Sequence, residues 1–369
     1  MRVCYITNSS IPAKSANSIA TVKICEAFTE LKNEVMLITR NTNCKIEDIY
    51  KLYNVKFKFQ IKSLKNFKEF PLRFKYYFFS FISIIASLNF KPDLYITRNL
   101  FTCFLLVLFR KKVIIELHHD ISHETRIVKI LIRLTNYLNS KYILKIISIT
   151  NSVKYEYVSK KYACENKILV LPSGSSIKNK FKFKLNKKEF KIGYFGSLYK
   201  SRGIDLIFKL SAIDKKNKYY LYGDLSQVAK SKLNNLSKNL KIKNYVPYNE
   251  IPTVLDKMDI LLMPYVSSIT VHGNVSNITK YTSPLKLFDY LCAGKIIICS
   301  DYKVLKEIIK DKKNAIFIKN YKNPHSWKNE ILKLKNQSSK QYIISKNNYS
   351  LSKKYTLKKR AELILNSMT

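Results

Sequence analysis

Acidic residues are scarce in this chain of 369, with 25 Asp and Glu against 67 Lys and Arg, a formal charge of +42. A surplus of that size points to nucleic acid or to an anionic lipid surface. No zinc-finger, RNP or helix-turn-helix pattern accompanies it, and the Lys residues are spread along the chain among over-used Asn, Ile and Tyr. Nucleic acid is therefore not the expected partner, whereas dispersed Lys suits an acidic membrane surface without any special geometry. No CxxC pair occurs among the seven cysteines, an odd count, so reduced thiols in a cytoplasm are expected. No apolar run reaches the roughly 20 residues of a spanning helix. The most apolar stretches, "YYFFSFISIIASLNF" (76–90) and "LFTCFLLVLF" (100–109), read as buried helices flanking a buried strand. Arg73, Lys75 and Lys91 at their flanks keep peripheral membrane contact open. The start "MRVCYITN" runs straight into a strand pattern, without the basic, apolar and small-residue order of a signal peptide, so the expected location is cytoplasmic.

What is present is globular: 46% hydrophobic and 13% aromatic residues, at a length that suits two domains of roughly 150 to 200 residues. Short apolar runs at 3–7, 34–39, 93–97, 113–117 and 145–150 read as buried parallel strands. Between the first two lies "NSIATVKICEAFTELKN", a helix pattern with Asn17 or Ser18 as N-cap, which makes a βαβ unit. The pattern breaks at the Lys-rich stretch 175–190, taken as a linker. It resumes with strand runs at 191–196, 219–224, 259–265, 295–301 and 315–318. The expected organisation is a Rossmann-like domain over 1–177, a second over 190–345, and a C-terminal helix within 346–369 that has no strand after it and must pack on a surface already built.

Three stretches carry candidate chemistry. In "SPLKLFDYLCAGK" (283–295), Thr282 or Ser283 is placed to cap a helix with Pro284 at its first position, leaving N–H groups that welcome a phosphate. Lys286 reaches the same phosphate and Asp289, one turn on, faces sugar hydroxyls; the alternative is an exposed i,i+3 ion pair worth a few tenths of a kcal/mol, ~0.3. In "GYFGSLYKSRGIDLI" (193–207), a strand ends at Gly196 and Ser197 and turns into a helix near Gly203, with Arg202 placed to clamp a diphosphate. In "IIELHHDISH" (114–123), Glu116, His118, His119 and Asp120 fall at the carboxyl end of a strand, where open α/β sheets bind ligands. His118 and His123 have no third ligand at a sensible spacing, so no metal is expected. A histidine donating to substrate and one that merely caps both remain open. Arg98 follows "DLYIT" on the same edge.

Taken in order with "VLPSG" (170–174), "DILLMPY" (259–265) and "YTLKKRAELIL" (355–365), these stretches resemble glycosyltransferase family 4 over essentially the whole chain. The resemblance implies an α/β GT-B fold: two Rossmann-like doubly wound domains facing across a cleft, with the C-terminal helix packing back on the first. It implies transfer of a sugar, with retention of configuration, from a nucleotide-diphosphate donor to a lipid-linked or surface-polysaccharide acceptor at the inner face of a membrane, with no cofactor and no metal. The donor side would comprise Gly196, Ser197, Arg202, Gly223, Val246, Ser283, Pro284, Leu285, Lys286 and Asp289. The acceptor side would comprise Ser15, Asn17, Arg98, Glu116 and His118, with His118, Arg202 and Lys286 as the catalytic set. This chain departs from the family pattern in three places. Tyr281 and Asp289 stand where two Glu eight positions apart are common, "SSIPAKSANS" replaces a Gly-rich loop, and Ser197 replaces an Arg. A nucleotide-sugar epimerase of the same architecture, or an inactive membrane-associated binding protein, are the alternatives.

Overall fold

A computed structural model describes residues 1–40, 44–64, 72–184, 188–228, 236–266 and 279–368. They form two compact units, one of Met1–Ser176, Tyr281–Ser283 and Leu357–Thr369, the other of Ile177–Lys280 and Pro284–Thr356.

The first unit is built on seven parallel strands: β1 (Arg2–Ser10), β2 (Glu34–Arg40), β3 (Gln60–Leu64), β4 (Leu94–Thr97), β5 (Val113–Leu117), β6 (Ile143–Ser148) and β7 (Ile168–Val170). They lie in the order β3-β2-β1-β4-β5-β6-β7. Alternation at period two sends Cys4 and Ile6 into one core layer and Val3 and Tyr5 into the other, so the sheet is buried on both faces. The C-terminal helix Leu357–Asn366 puts Leu357, Ala361 and Ile364 into the layer that holds Val22 and Phe28 of the helix Ala16–Glu30. That helix is capped by Ser15, whose side chain accepts from the Ser18 amide, and not by Asn17 or Ser18 as the sequence suggested. Asn17 is engaged elsewhere, as described below.

The second unit has six parallel strands: β8 (Lys191–Phe195), β9 (Lys218–Tyr222), β10 (Leu240–Lys243), β11 (Ile260–Met263), β12 (Ile296–Ser300) and β13 (Ala315–Ile318), in the order β10-β9-β8-β11-β12-β13. Both sheets therefore reverse strand order beside their first strand, at β1/β4 and at β8/β11. The crevice outside the carboxyl ends at such a reversal is where open α/β sheets take ligands. Strands β3, β7 and β10 have no counterpart in the sequence reading. β3 and β10 are outermost and mix Lys or Gln with their apolar residues, while β7 is only three residues long, so none shows an apolar run.

The stretch read as a linker is docked rather than free. Phe181 packs its ring 5.4 Å from Tyr349, and Asn179 donates to Asp256 at 2.9 Å, all inside the second unit. Residues 185–187 of that stretch lie outside the described residues. Residues 346–352 end the helix Ser338–Ser352 of the second unit, and the segment joining the first unit begins at Leu357. The apolar stretches at 76–90 and 100–109 are also only partly buried. The helix Leu72–Ser87 turns Ser80, Ser83 and Ser87 inward and several of its large apolar side chains outward.

Candidate active site

In the second unit the carboxyl ends of β8 and β11 converge on two cations. β8 stops at Phe195, and Gly196 continues at φ +133°, with a Cβ position only 2.9 Å from Lys286 Nζ. Any side chain there would occupy the ammonium's place, so Gly196 makes room for Lys286. The Lys286 ammonium sits 4.0 Å from the Tyr194 ring centroid and 6.0 Å from that of Tyr265. No carboxylate pairs with it among the described residues, and its ammonium lies over the Tyr194 ring rather than against Asp289. Burial, reinforced by the Arg202 charge, holds Lys286 well below the usual lysine range.

Arg202 approaches the same place from the single turn Lys200–Arg202, its guanidinium carbon 5.7 Å from the Tyr265 ring. Gly203 behind it adopts φ +79°, and a Cβ there would fall 1.6 Å from the Pro264 carbonyl oxygen, so the turn is pressed flat against the segment leaving β11. The Tyr194 hydroxyl donates to the Ser197 carbonyl at 2.7 Å, which fixes the loop after β8 and leaves Gly196 and Ser197 exposed. Gly223, just past β9, lies beside them and donates its amide to the Lys243 carbonyl at 3.1 Å. Val246 is buried with Phe195 and Tyr222 in the core below.

The helix carrying Lys286 runs Leu285–Cys292, one residue later than its sequence implied. Pro284 occupies the cap position and provides no side-chain acceptor. The Ser283 hydroxyl is used in the first unit, where it accepts from the Ser173 amide at 2.9 Å. The helix is locked to β8 by Tyr290, whose hydroxyl accepts from the Phe195 amide at 3.0 Å. Asp289 is partly exposed one turn on from Lys286. The structure thus brings Gly196, Ser197, Arg202, Lys286 and the uncapped start of this helix together, an arrangement of two positive side chains and backbone N–H groups that an anion completes.

In the first unit the carboxyl ends of β1, β4 and β5 hold the other candidates. Glu116 is 1% exposed and fully engaged: Tyr5 Oη and Arg98 Nε both donate to its Oε2 at 2.8 Å, and Arg360 Nη2 to its Oε1 at 2.6 Å. Burial raises this carboxyl, but the Arg360 and Arg98 charges outweigh it and hold the group well below the carboxylate range. Glu116 therefore lies beneath the edge as an anchor. Arg98 also donates through Nη1 to the Asn17 side-chain oxygen, and Asn17 Nδ2 donates to Ser9 Oγ at 2.5 Å. Ser15, spent on its capping role, also bonds the Ser18 hydroxyl at 2.8 Å.

His118 stands with Nε2 3.7 Å from Glu116 Oε2, beyond hydrogen-bond reach, and that atom is buried with no partner among the described residues. Burial and then the Arg98 charge push the imidazole down to about 4. His118 is thus a neutral ring at physiological pH, able to share one hydrogen bond with an incoming hydroxyl. His119 and Asp120 are tied locally: His119 Nδ1 meets the Asp120 carbonyl at 3.0 Å and Asp120 caps the turn Ile121–His123. Tyr281 donates to Asp120 Oδ2 at 2.8 Å and reaches Glu156 Oε1 at 3.5 Å. At the position where the family pattern commonly has a Glu, this chain therefore has a phenol, whose single O–H donates to Asp120 with Glu156 close by. No group of His, Cys, Asp or Glu able to hold a metal is found among the described residues.

Sequence reasoning missed Tyr194 and Tyr265, the aromatic walls around Lys286, and Arg360, which reaches Glu116 from 244 residues away. The tyrosines looked like core residues of apolar strands. Arg360 is one of many cations on an amphipathic helix, with nothing local to single it out.

Residues 175–351 match the family described as glycosyl transferases group 1. An uncharacterized glycosyltransferase of Methanocaldococcus jannaschii is 28% identical over 189 residues, which is 49% of this chain and 44% of that protein; the match spans less than half the length of this relative. Among solved structures, Anabaena HepE in complex with UDP is similar across 100% of this chain and 99% of its own, at TM-score 0.71 and 11% identity. WaaG, described as a glycosyltransferase involved in lipopolysaccharide biosynthesis, is similar across 100% of this chain and 99% of its own, at TM-score 0.63 and 11% identity. These likenesses bear out the expected α/β GT-B class. The match to the glycosyl transferases group 1 family thus lies almost entirely in the second unit, over 177 of the 369 residues.

Proposed function

We propose that the protein is a retaining glycosyltransferase that moves a sugar from a nucleotide-diphosphate donor to a lipid-linked or surface-polysaccharide acceptor, working on the inner face of a membrane. The observation that carries the reading is the pair Lys286 and Arg202, two cations drawn together beside Gly196 without a carboxylate for Lys286 among the described residues. A diphosphate offers the missing negative charge. As the bond from sugar to phosphate breaks, charge grows on the leaving phosphate, and pre-placed cations stabilise that change most. In this role they replace a divalent ion. Asp289 would take ribose hydroxyls and the segment around Val246 would border the base.

In the first unit, neutral His118 would hold a sugar hydroxyl through its unpartnered Nε2, beside the Glu116–Arg98 pair. HepE was solved with UDP and with UDP-glucose, and WaaG is described as acting in lipopolysaccharide biosynthesis, which supports a uridine donor and an envelope acceptor for this chain. The test is a thermal-stability screen of nucleoside diphosphates and nucleotide-sugars, followed by product analysis with the stabilising donor. Stabilisation by at least one donor and release of its nucleoside diphosphate are expected. Conversion of the donor sugar without any acceptor would instead indicate an epimerase, and no stabilisation by any nucleotide would sink the reading.

A further inference from the structure

The helix Leu72–Ser87 is partly inverted. Ser80, Ser83 and Ser87 are fully buried, their hydroxyls donating to the carbonyls of Tyr76, Ser80 and Ile84. Outside it shows Phe74, Phe78, Phe81, Ile85 and, just past its end, Leu88, at spacings of four, three, four and three. Phe74 is 63% exposed. A water-facing helix normally distributes these residue types the other way round. The helix Arg126–Thr135 repeats the feature: Val128 and Ile132 are buried, while Ile127, Ile130 and Leu134 form an outer row in which Leu134 is 79% exposed.

The two helices are neighbours. Tyr77 bonds through its hydroxyl to Thr125, the cap of the second helix, at 2.7 Å, and stacks edge-on against Phe101 of the intervening helix Leu100–Leu108 at 4.6 Å. That helix adds exposed Leu108 and Phe109 at its end. The three segments 72–87, 100–112 and 126–135 hold eight Lys or Arg and not one Asp or Glu. Of these, the Arg73 side chain lies outside the described residues.

We infer that this three-helix face of the first unit docks in the plane of an anionic lipid bilayer, with the apolar rows entering the headgroup boundary and the Lys and Arg residues meeting acidic headgroups. Charge decides the occupant. A second copy would set the seven described cations of these segments against seven more, whereas acidic lipid satisfies the cations and the hydrocarbon satisfies Phe74, Phe81 and Leu134 together. No helix among the described residues is long and apolar enough to cross a membrane, so the face lies on the bilayer. The choice of lipid rests on the membrane-side acceptor proposed above.

Co-sedimentation of the full chain with vesicles of 70% phosphatidylcholine and 30% phosphatidylglycerol tests this against vesicles of phosphatidylcholine alone. Binding to the anionic vesicles only, weakened by added salt, is expected. The triple change Ile127→Gln, Ile130→Gln, Leu134→Gln should weaken it by about tenfold or more. The charge variant Arg126→Gln with Arg133→Gln should also weaken it, which keeps the test open if the triple variant fails to fold. Nucleoside-diphosphate stabilisation should be unchanged in both. Equal vesicle binding by parent and variants would overturn the inference. So would a parent that dimerises through this face, turns monomeric on substitution and ignores vesicles. Loss of nucleotide binding in the parent would count against the transferase reading alone.

Discussion

Replacing Lys286 by Met should have two effects of opposite sign. In the free protein the ammonium is desolvated, lies near Arg202 and has only tyrosine faces as company. Met fills the same channel without charge. It gives up a cation–π contact of about 1 kcal/mol and gains a sulfur–aromatic contact of about 0.3 to 1.5 kcal/mol, so these nearly cancel. Removing the buried charge is then worth about 1 to 3 kcal/mol, by analogy with buried ionic groups replaced by apolar ones. For a unit of this size that raises the melting temperature by about 2 to 12 °C.

Nucleotide binding moves the other way, because a charge-assisted hydrogen bond to phosphate worth about 1.5 to 3 kcal/mol disappears and Kd weakens roughly ten- to hundredfold. Turnover should fall further, by about 10² to 10³, if the ammonium also meets charge that develops on the leaving phosphate. Differential scanning fluorimetry with and without a nucleoside diphosphate reads both effects. At a concentration that stabilises the parent by about 2.7 kcal/mol, a hundredfold weaker variant gains only about 0.4 kcal/mol. A variant that melts lower than the parent yet keeps the full ligand shift would refute the reasoning, since Lys286 would then be a structural cation.

Affinity for the diphosphate should also fall as pH rises through the depressed value of free Lys286. A bound anion raises that value, so binding takes up a proton between the two, which calorimetry in buffers of different ionisation enthalpy would detect. Arg360→Met leaves Glu116 with one cation fewer and should cost about 3 to 5 kcal/mol. The Glu116 carboxyl titrates below its unfolded value, so its stabilisation is present above the ordinary carboxylate range and is lost as pH falls towards the depressed value. In Arg360→Met the carboxyl rises, and acid unfolding followed by circular dichroism should begin at a higher pH than in the parent. Gly203→Ala, which drives a Cβ into the Pro264 carbonyl at a left-handed position, should destabilise the second unit by about 3 kcal/mol in urea. Unchanged urea midpoints would show that the turn relaxes. His118, neutral above about 4, should contribute no limb near 6.5 to the pH profile of kcat/KM.

Local pattern was enough for the strands that are buried on both faces, because such strands leave continuous apolar runs at 3–7, 113–117 or 296–300. It also singled out Gly196, Arg202 and Lys286, which the structure gathers in one place, since a glycine turn after a strand and a Pro-led helix are local features. It failed for β3, β7 and β10, which the sheet holds by pairing although their own composition is weak. It failed at the apolar helices, where a count of hydrophobic residues says nothing about which side they face. The sequence on its own determined two doubly wound units and the order of their motifs, because burial and turn chemistry act between near neighbours. Tertiary structure alone decided that Lys286 lies over Tyr194 and not against Asp289, that Arg360 and Tyr5 hold Glu116 beneath the edge, and that Tyr281 donates to Asp120 across 161 residues. Charges and hydrogen bonds find partners by distance in space, and that distance exists only once the sheets have closed.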